Sequence, residues 1–202
     1  MLDNKGYPFK SKEHSAIVHS YQYSGHCKWV DRYINRGLPY GCPDHLKYQF
    51  NENFNIKISD KCCTELKEKP LRKWQKKNNK QVVITGMMRS EGGRRSNINC
   101  VLMKNNEIVK FHPLAVLSEE WEEWFIKTFN IKLCSLYYPP YNFKRTRCKG
   151  CPFNPKLEDD LKTLEDFFPN ERKQCEMIWK PVYDEYRRIG YRLKEDKKNG
   201  KS

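Results

Sequence analysis

Four cysteines are the residues best equipped for chemistry. Cys62 and Cys63 are adjacent, and Cys148-Lys149-Gly150-Cys151 is a CxxC followed by Pro152. The CxxC spacing aims two thiolates at one centre. An adjacent pair can join them if the backbone twists both inward, or if each meets a different iron. Together they supply four thiolates, the number that a [4Fe–4S] cluster or a Cys₄ zinc site needs. A thioredoxin-type redox pair is one alternative, although that motif opens a helix after a strand. Here the loop Tyr137-Tyr138-Pro139-Pro140-Tyr141 precedes it. Plain packing by small, apolar thiols is the other alternative. Metal binding is the favoured reading, with iron–sulfur and zinc both open. Cys27, Cys42, Cys100, Cys134 and Cys175 show no ligand spacing and are expected to be buried packing thiols.

A second constellation suits anions. Arg89, Arg94 and Arg95 surround Gly92-Gly93, just after the β-branched run Gln81-Val82-Val83-Ile84-Thr85-Gly86. Ligands of open α/β sheets bind beyond the carboxyl ends of strands. Arginine forks hold phosphate or sulfate bidentately, and glycines let backbone N–H groups approach. Lys67 follows Cys63 by one helical turn and could set a cation beside both the thiolates and the anion. His45 and His112 stand singly and are expected to be structural or surface residues.

These residues need elements to hold them. Periodicity predicts helices across 11–33, split at Ser24-Gly25, and over 60–77 with Asp60 as cap and Pro70 as a break or kink. Further helices are expected from Ser118 to about Phe129, over Lys156–Phe168, and over Glu171–Arg188 with Pro181 inside. Residues 81–85 read as a buried strand, and 100–103 with 107–111 as a hairpin around Asn105-Asn106. The aggregate is a helix-rich α/β chain in which one strong strand lacks obvious neighbours.

Composition bounds the function. The 202 residues carry 39 Lys+Arg against 25 Asp+Glu, a formal charge of +14. That excess predicts an anionic partner: nucleic acid, nucleotide or a sulfate-like group. No apolar run approaches the roughly 18 residues that span a bilayer. The N-terminus has no apolar secretory core, so a reducing, cytoplasmic setting without structural disulfides is expected. Residues 194–202 read as a solvated, disordered basic tail.

Four stretches together resemble the phosphoadenosine phosphosulfate (PAPS) reductase family, over its C-terminal two-thirds. Gly6-Tyr7-Pro8-Phe9-Lys10-Ser11-Lys12-Glu13 is similar to the family's Gly-Tyr-Pro-x-x-Ser-Lys-Glu segment. Cys62-Cys63 through Lys67 to Pro70-Leu71 is similar to its Cys-Cys-x-x-x-Lys-x-x-Pro-Leu helix. Ile84-Thr85-Gly86-Met87-Met88-Arg89 through Glu91 to Arg94 resembles its Gly-x-Arg-x-x-Glu/Gln-x-x-Arg strand and loop, offset by one residue at Arg89. Cys148–Cys151 matches the closing CxxC. The spacing between Cys63 and Cys148 is like that of the cluster-bearing adenylyl-sulfate reductase branch.

The resemblance implies one domain over residues 1–193, with an incomplete adenine-nucleotide α-hydrolase-like parallel sheet flanked by helices. It implies a [4Fe–4S] cluster on Cys62, Cys63, Cys148 and Cys151, raising iron–sulfur above zinc. Lys67, Arg89 and Arg94 or Arg95 would hold the sulfate or phosphates of a sulfonucleotide or ATP. The family's pyrophosphate loop, Ser-Gly-Gly-x-Asp-Ser, and its Glu-Cys-Gly tail are not in this sequence. The expectation is therefore sulfonucleotide reduction or ATP-dependent sulfur transfer. A separate polypeptide would supply the loop and a thiol would act as reductant, unless the chain is a truncated product. A non-catalytic Cys₄-metal module binding nucleic acid is the alternative, with Tyr137, Tyr138 and Tyr141 as stacking residues.

Overall fold

A computed structural model describes residues 1–143, 146 and 148–194, without the side chain of Arg94. The chain order is α1 (Leu2–Lys5), α2 (Lys12–Ser24), α3 (Lys28–Asn35), α4 (Lys69–Lys77), β1 (Val83–Ile84), β2 (Val101–Lys104), β3 (Glu107–Phe111), α5 (Glu119–Thr128), α6 (Leu157–Phe167) and α7 (Pro169–Arg188). The fold is helix-rich α/β with a small mixed sheet. It divides into two compact units, one of 1–66 with 136–202 and one of 67–135.

The first unit owns the main hydrophobic core. Phe9, Ile17, Val18, Val30, Leu46, Ile58, Leu157, Leu161, Val182, Tyr183 and Tyr186 are at most 2% exposed. Ser11 caps α2 by accepting from the His14 N–H at 3.1 Å, and Gly25 ends the helix with φ 71°. The predicted split at Ser24-Gly25 is thus real. His14 lies fully buried, its ring nitrogens 3.0 Å from the Tyr33 hydroxyl and 2.9 Å from Gln49 Oε1. Pro169 starts α7, where its missing N–H costs nothing, and Pro181 sits inside the helix.

The second unit is built differently. Its strand order is β1-β3-β2, with β1 parallel and β2 antiparallel to β3. Asn105 and Asn106, at φ 50° and 61°, make the two-residue turn that the sequence predicts, as a left-handed hairpin turn requires. Ser118 caps α5 by accepting from the Trp121 N–H.

Two expectations need correction here. The strand at 81–85 shrinks to Val83–Ile84 and is not buried, since Ile84 is 70% exposed and Val82 is 48% exposed. Its β-branched run reads as core, but no layer covers it within this unit. The sheet is also mixed rather than parallel, because the short Asn-Asn turn forces β2 and β3 to run antiparallel. Of the expected tail, 194–202, residues 195–202 lie outside the described residues. Lys194 is described, and its N–H donates to Glu158 at 3.4 Å. No helix among the described residues is long and apolar enough to cross a membrane.

Candidate metal and anion sites

The cysteine pair is set by what precedes and follows it. Gly6, at φ 92°, lets residues 6–7 lie against 58–59; a Cβ there would sit 2.8 Å from the Ser59 Cβ. The Tyr7 N–H donates to Lys57 O at 2.7 Å, and the Ser59 N–H donates to Tyr7 O at 2.8 Å. This parallel bridge pins the chain just before Cys62. After Cys63 the helix opens into a π turn, Thr64–Glu68, before tightening into α4. Pro70 therefore occupies the first turn of α4 and does not break a longer helix. Such wide turns often mark functional positions.

The CxxC is held from the other end of the chain. Trp179, Tyr183 and Tyr186 recur on α7 at the i, i+4, i+7 spacing of one helical face. Trp179 Nε1 donates to Lys149 O at 3.3 Å, and the Tyr183 hydroxyl donates to Gly150 O at 2.5 Å. The Tyr186 hydroxyl donates to Pro152 O at 2.9 Å, and Arg192 Nη1 donates to the same oxygen at 2.5 Å. Tyr186 also accepts from the Lys10 N–H at 2.9 Å, which ties the N-terminal segment to the closing turn. Within the turn, the Cys151 N–H donates to Cys148 O at 3.1 Å.

The fold thus brings Cys62, Cys63 and Cys151 into one neighbourhood. The Cys62 thiol is pushed up to about 12, first by burial and then by the charges of Cys63 and Cys151. Cys148 lies exposed in the same turn as Cys151. In type, this donor set suits a thiolate-bound metal or cluster. In position, no three Cys, His, Asp or Glu side chains among the described residues form a ready metal-holding group.

The other cysteines divide. Cys42 and Cys175 are buried as expected, Cys100 is half-buried, and Cys27 and Cys134 are exposed. Those two correct the packing expectation: Cys27 precedes α3 as its cap residue, and Cys134 lies in the segment after α5. Burial raises the Cys175 thiol despite nearby Lys149 and Arg172, which argues against a reactive thiolate there.

The anion candidates all belong to the second unit. Lys67 lies exposed in the π turn. Arg89, Arg94 and Arg95 fall in two short 3₁₀ turns, with Gly92 and Gly93 at φ 72° and 61° between them. Glu91 organises this loop, accepting from the Met88 N–H at 3.2 Å and pairing with Arg95. Arg89 Nε donates to Ile98 O at 2.8 Å, and its N–H donates to Ala115 O at 3.2 Å. An anion taking Arg95 would have to compete with Glu91, an interaction the sequence reading did not include. His112 proves structural: it is 5% exposed, with Nδ1 2.5 Å from Thr85 Oγ1.

Of the tyrosines proposed for stacking, Tyr141 packs on Phe167 and Phe168, and the Tyr137 hydroxyl lies 3.0 Å from Thr146 Oγ1. Tyr138 is 43% exposed. An open cavity of about 440 Å³ is lined by Tyr48, Asn51, Phe54, Glu185 and Arg188, with none of the candidate cysteines or arginines in its wall.

The clamp residues on α7 and the Gly6–Tyr7 bridge escaped the sequence reading as positioning devices. The visible signal for the first was the aromatic spacing 179, 183, 186, which reads equally well as a core stripe. The family model for the phosphoadenosine phosphosulfate reductase domain matches residues 32–192. No curated protein and no solved structure matches the chain. The matched span includes all four cysteines and the Lys67, Arg89, Arg94 and Arg95 positions, and it covers well over half of the sequence. The chain belongs to the phosphoadenosine phosphosulfate reductase domain family.

Proposed function

We propose that this chain is the metal-bearing part of a sulfonucleotide-reducing or ATP-dependent sulfur-transfer enzyme, working in a reducing, cytoplasmic setting. Cys62, Cys63, Cys148 and Cys151 would hold a [4Fe–4S] cluster. When bound, such a cluster supplies one-electron chemistry. Arg89, Arg94, Arg95 and Lys67 would hold the sulfate or phosphate groups of the nucleotide through charge-assisted hydrogen bonds. The Glu91–Arg95 pair would keep that loop ordered until an anion enters. A second polypeptide would contribute the pyrophosphate-binding loop, and a thiol partner would act as donor of electrons or sulfur. The exposed apolar sheet of the second unit supports a missing neighbour, because parallel strand pairs normally lie in sheets covered on both faces.

One observation carries the reading: Cys151, from the closing turn, lies near enough for its charge to act on Cys62, although the chain between them is long. The test is metal and sulfide content of anaerobically purified protein, with its visible spectrum. About four irons and about four sulfides per chain, lost in Cys62→Ser, are expected. One zinc without iron would keep the four-cysteine site and remove the redox role. No metal under reconstitution would overturn the proposal.

A second reading has its own observation. Arg72, Lys73, Lys76 and Lys77 are exposed on α4, where Trp74 is 55% exposed. A non-catalytic Cys₄-metal module could use this helix on a nucleic-acid backbone. A steep loss of oligonucleotide affinity with added salt, together with no binding of adenosine phosphosulfate or ATP, would select it.

A further inference from the structure

We propose that Tyr183 is a positioning residue for the CxxC, setting the metal affinity of its thiols through the Gly150 carbonyl. The inference rests on the metal reading of the four cysteines. A CxxC turn in isolation samples many shapes, and its carbonyl dipoles can swing toward the thiolates and repel them. Here the carbonyls of residues 149, 150 and 152 are all engaged by donors from α7 and Arg192. Engaged in this way, they cannot turn toward the sulfurs, and the turn loses little freedom when a metal arrives.

The fit at Gly150 is close. Its φ is +59°, and a Cβ there would sit 2.6 Å from the Tyr183 hydroxyl and 2.7 Å from Cys175 Sγ. Tyr183 is fully buried. A phenylalanine would fill that space equally well, so packing alone does not account for the hydroxyl. Its 2.5 Å bond to Gly150 O does. Outer-shell hydrogen-bond partners of this kind typically alter metal affinity by about 10–100-fold.

The test titrates the full, reduced chain with Co(II) under anaerobic conditions and follows the sulfur-to-cobalt charge-transfer band. Tyr183→Phe removes only the hydroxyl. Tyr33→Phe is the control, because Tyr33 is also buried but its hydroxyl bonds to His14 and Lys10 and not to the CxxC turn. The expected result is an affinity about 10-fold weaker in Tyr183→Phe, with a shifted band, and native behaviour in Tyr33→Phe. Native affinity in Tyr183→Phe, or an equal loss in both variants, would overturn the proposal. If the native chain takes up no cobalt, the metal reading itself fails. The clamp is then read from iodoacetamide alkylation of Cys148 and Cys151: a rate raised at least about 3-fold by Tyr183→Phe supports it, and an unchanged rate overturns it.

Discussion

The two units use the same kinds of residues to opposite effect. In the first, aromatic and aliphatic side chains interlock: Phe9 meets Tyr186 edge-on at 4.6 Å, Tyr33 and Phe50 pack against His14 and each other, and Tyr21 meets Phe50 edge-on. In the second, Val101, Leu102, Met103, Ile108 and Phe111 are each between 37% and 57% exposed, and only Met88 and Ala115 are buried hydrophobics there. The β-branched and aliphatic sequence is similar; the covering layer is not. Burial of apolar area is the main stabilising term, so the unit that carries Cys62, Cys63, Cys148 and Cys151 is expected to be the more stable one. The arginine loop sits on a scaffold held mainly by backbone hydrogen bonds and short turns. A ligand loop drawn from the less stable part of a protein is a common arrangement.

This contrast can be broken by measurement. Leu161→Ala, at a site 2% exposed, should cost about 2–5 kcal/mol of stability in urea unfolding; a loss under about 1 kcal/mol would mean that the first unit is not tightly packed. Gly150→Ala should cost about 2–4 kcal/mol, combining a strained left-handed backbone with overpacking against Tyr183 and Cys175. Gly92→Ala meets nothing within 4 Å of the new Cβ, so backbone strain alone acts there; at φ 72° and ψ −173° that conformation is open essentially to glycine only, and about 1–3 kcal/mol is expected. A loss under about 1 kcal/mol at Gly150 would show that crowding there is relieved by movement.

Acid should loosen the first unit through His14. Burial pulls its pKa down to about 4 from the usual 6.5. Because the folded value is depressed for a base, protonation favours the unfolded chain. Its contribution is complete above about pH 6.5 and is lost progressively as pH falls toward 4, amounting to about 2 kcal/mol by pH 5. In His14→Gln the unfolding free energy should lose that slope between pH 7 and 5, and an unchanged slope would assign it to other groups. The smallest effect is expected in the sheet. Leu102→Ala, at 44% exposure, should change stability by about 0.5 kcal/mol or less. A larger loss would reveal a partner covering that face, and analytical ultracentrifugation would then show whether it is another copy of the chain.

Much of the local structure was legible beforehand. The helix start near Ser11, Ser118 as a cap, the Ser24-Gly25 break and the Asn105-Asn106 turn depend on neighbours within a few residues, where side-chain and backbone preferences act directly. The strand at 81–85 misled because β-branched runs signal burial only if something lies over them. Cys27 and Cys134 misled for the same reason: a thiol's type fixes its preference for the interior, not whether an interior is available. At the candidate sites, the cysteine pairs and the arginine cluster were legible by type and spacing. The Glu91–Arg95 pair, the π turn after Cys63 and the carbonyl clamp on residues 149–152 were not.

The sequence by itself determined the family motifs, the two cysteine pairs, the basic charge and the boundaries of most helices. Each of these is a property of composition or of residues close together in the chain. Only the tertiary structure decided which distant residues meet. It brought Cys151 within electrostatic reach of Cys62, laid Gly6 and Tyr7 against residues 57–59, and turned an aromatic stripe on α7 into a hydrogen-bonded brace for the CxxC. Such pairings follow from how whole elements pack, because a buried hydroxyl or carbonyl must find its partner wherever the fold supplies one.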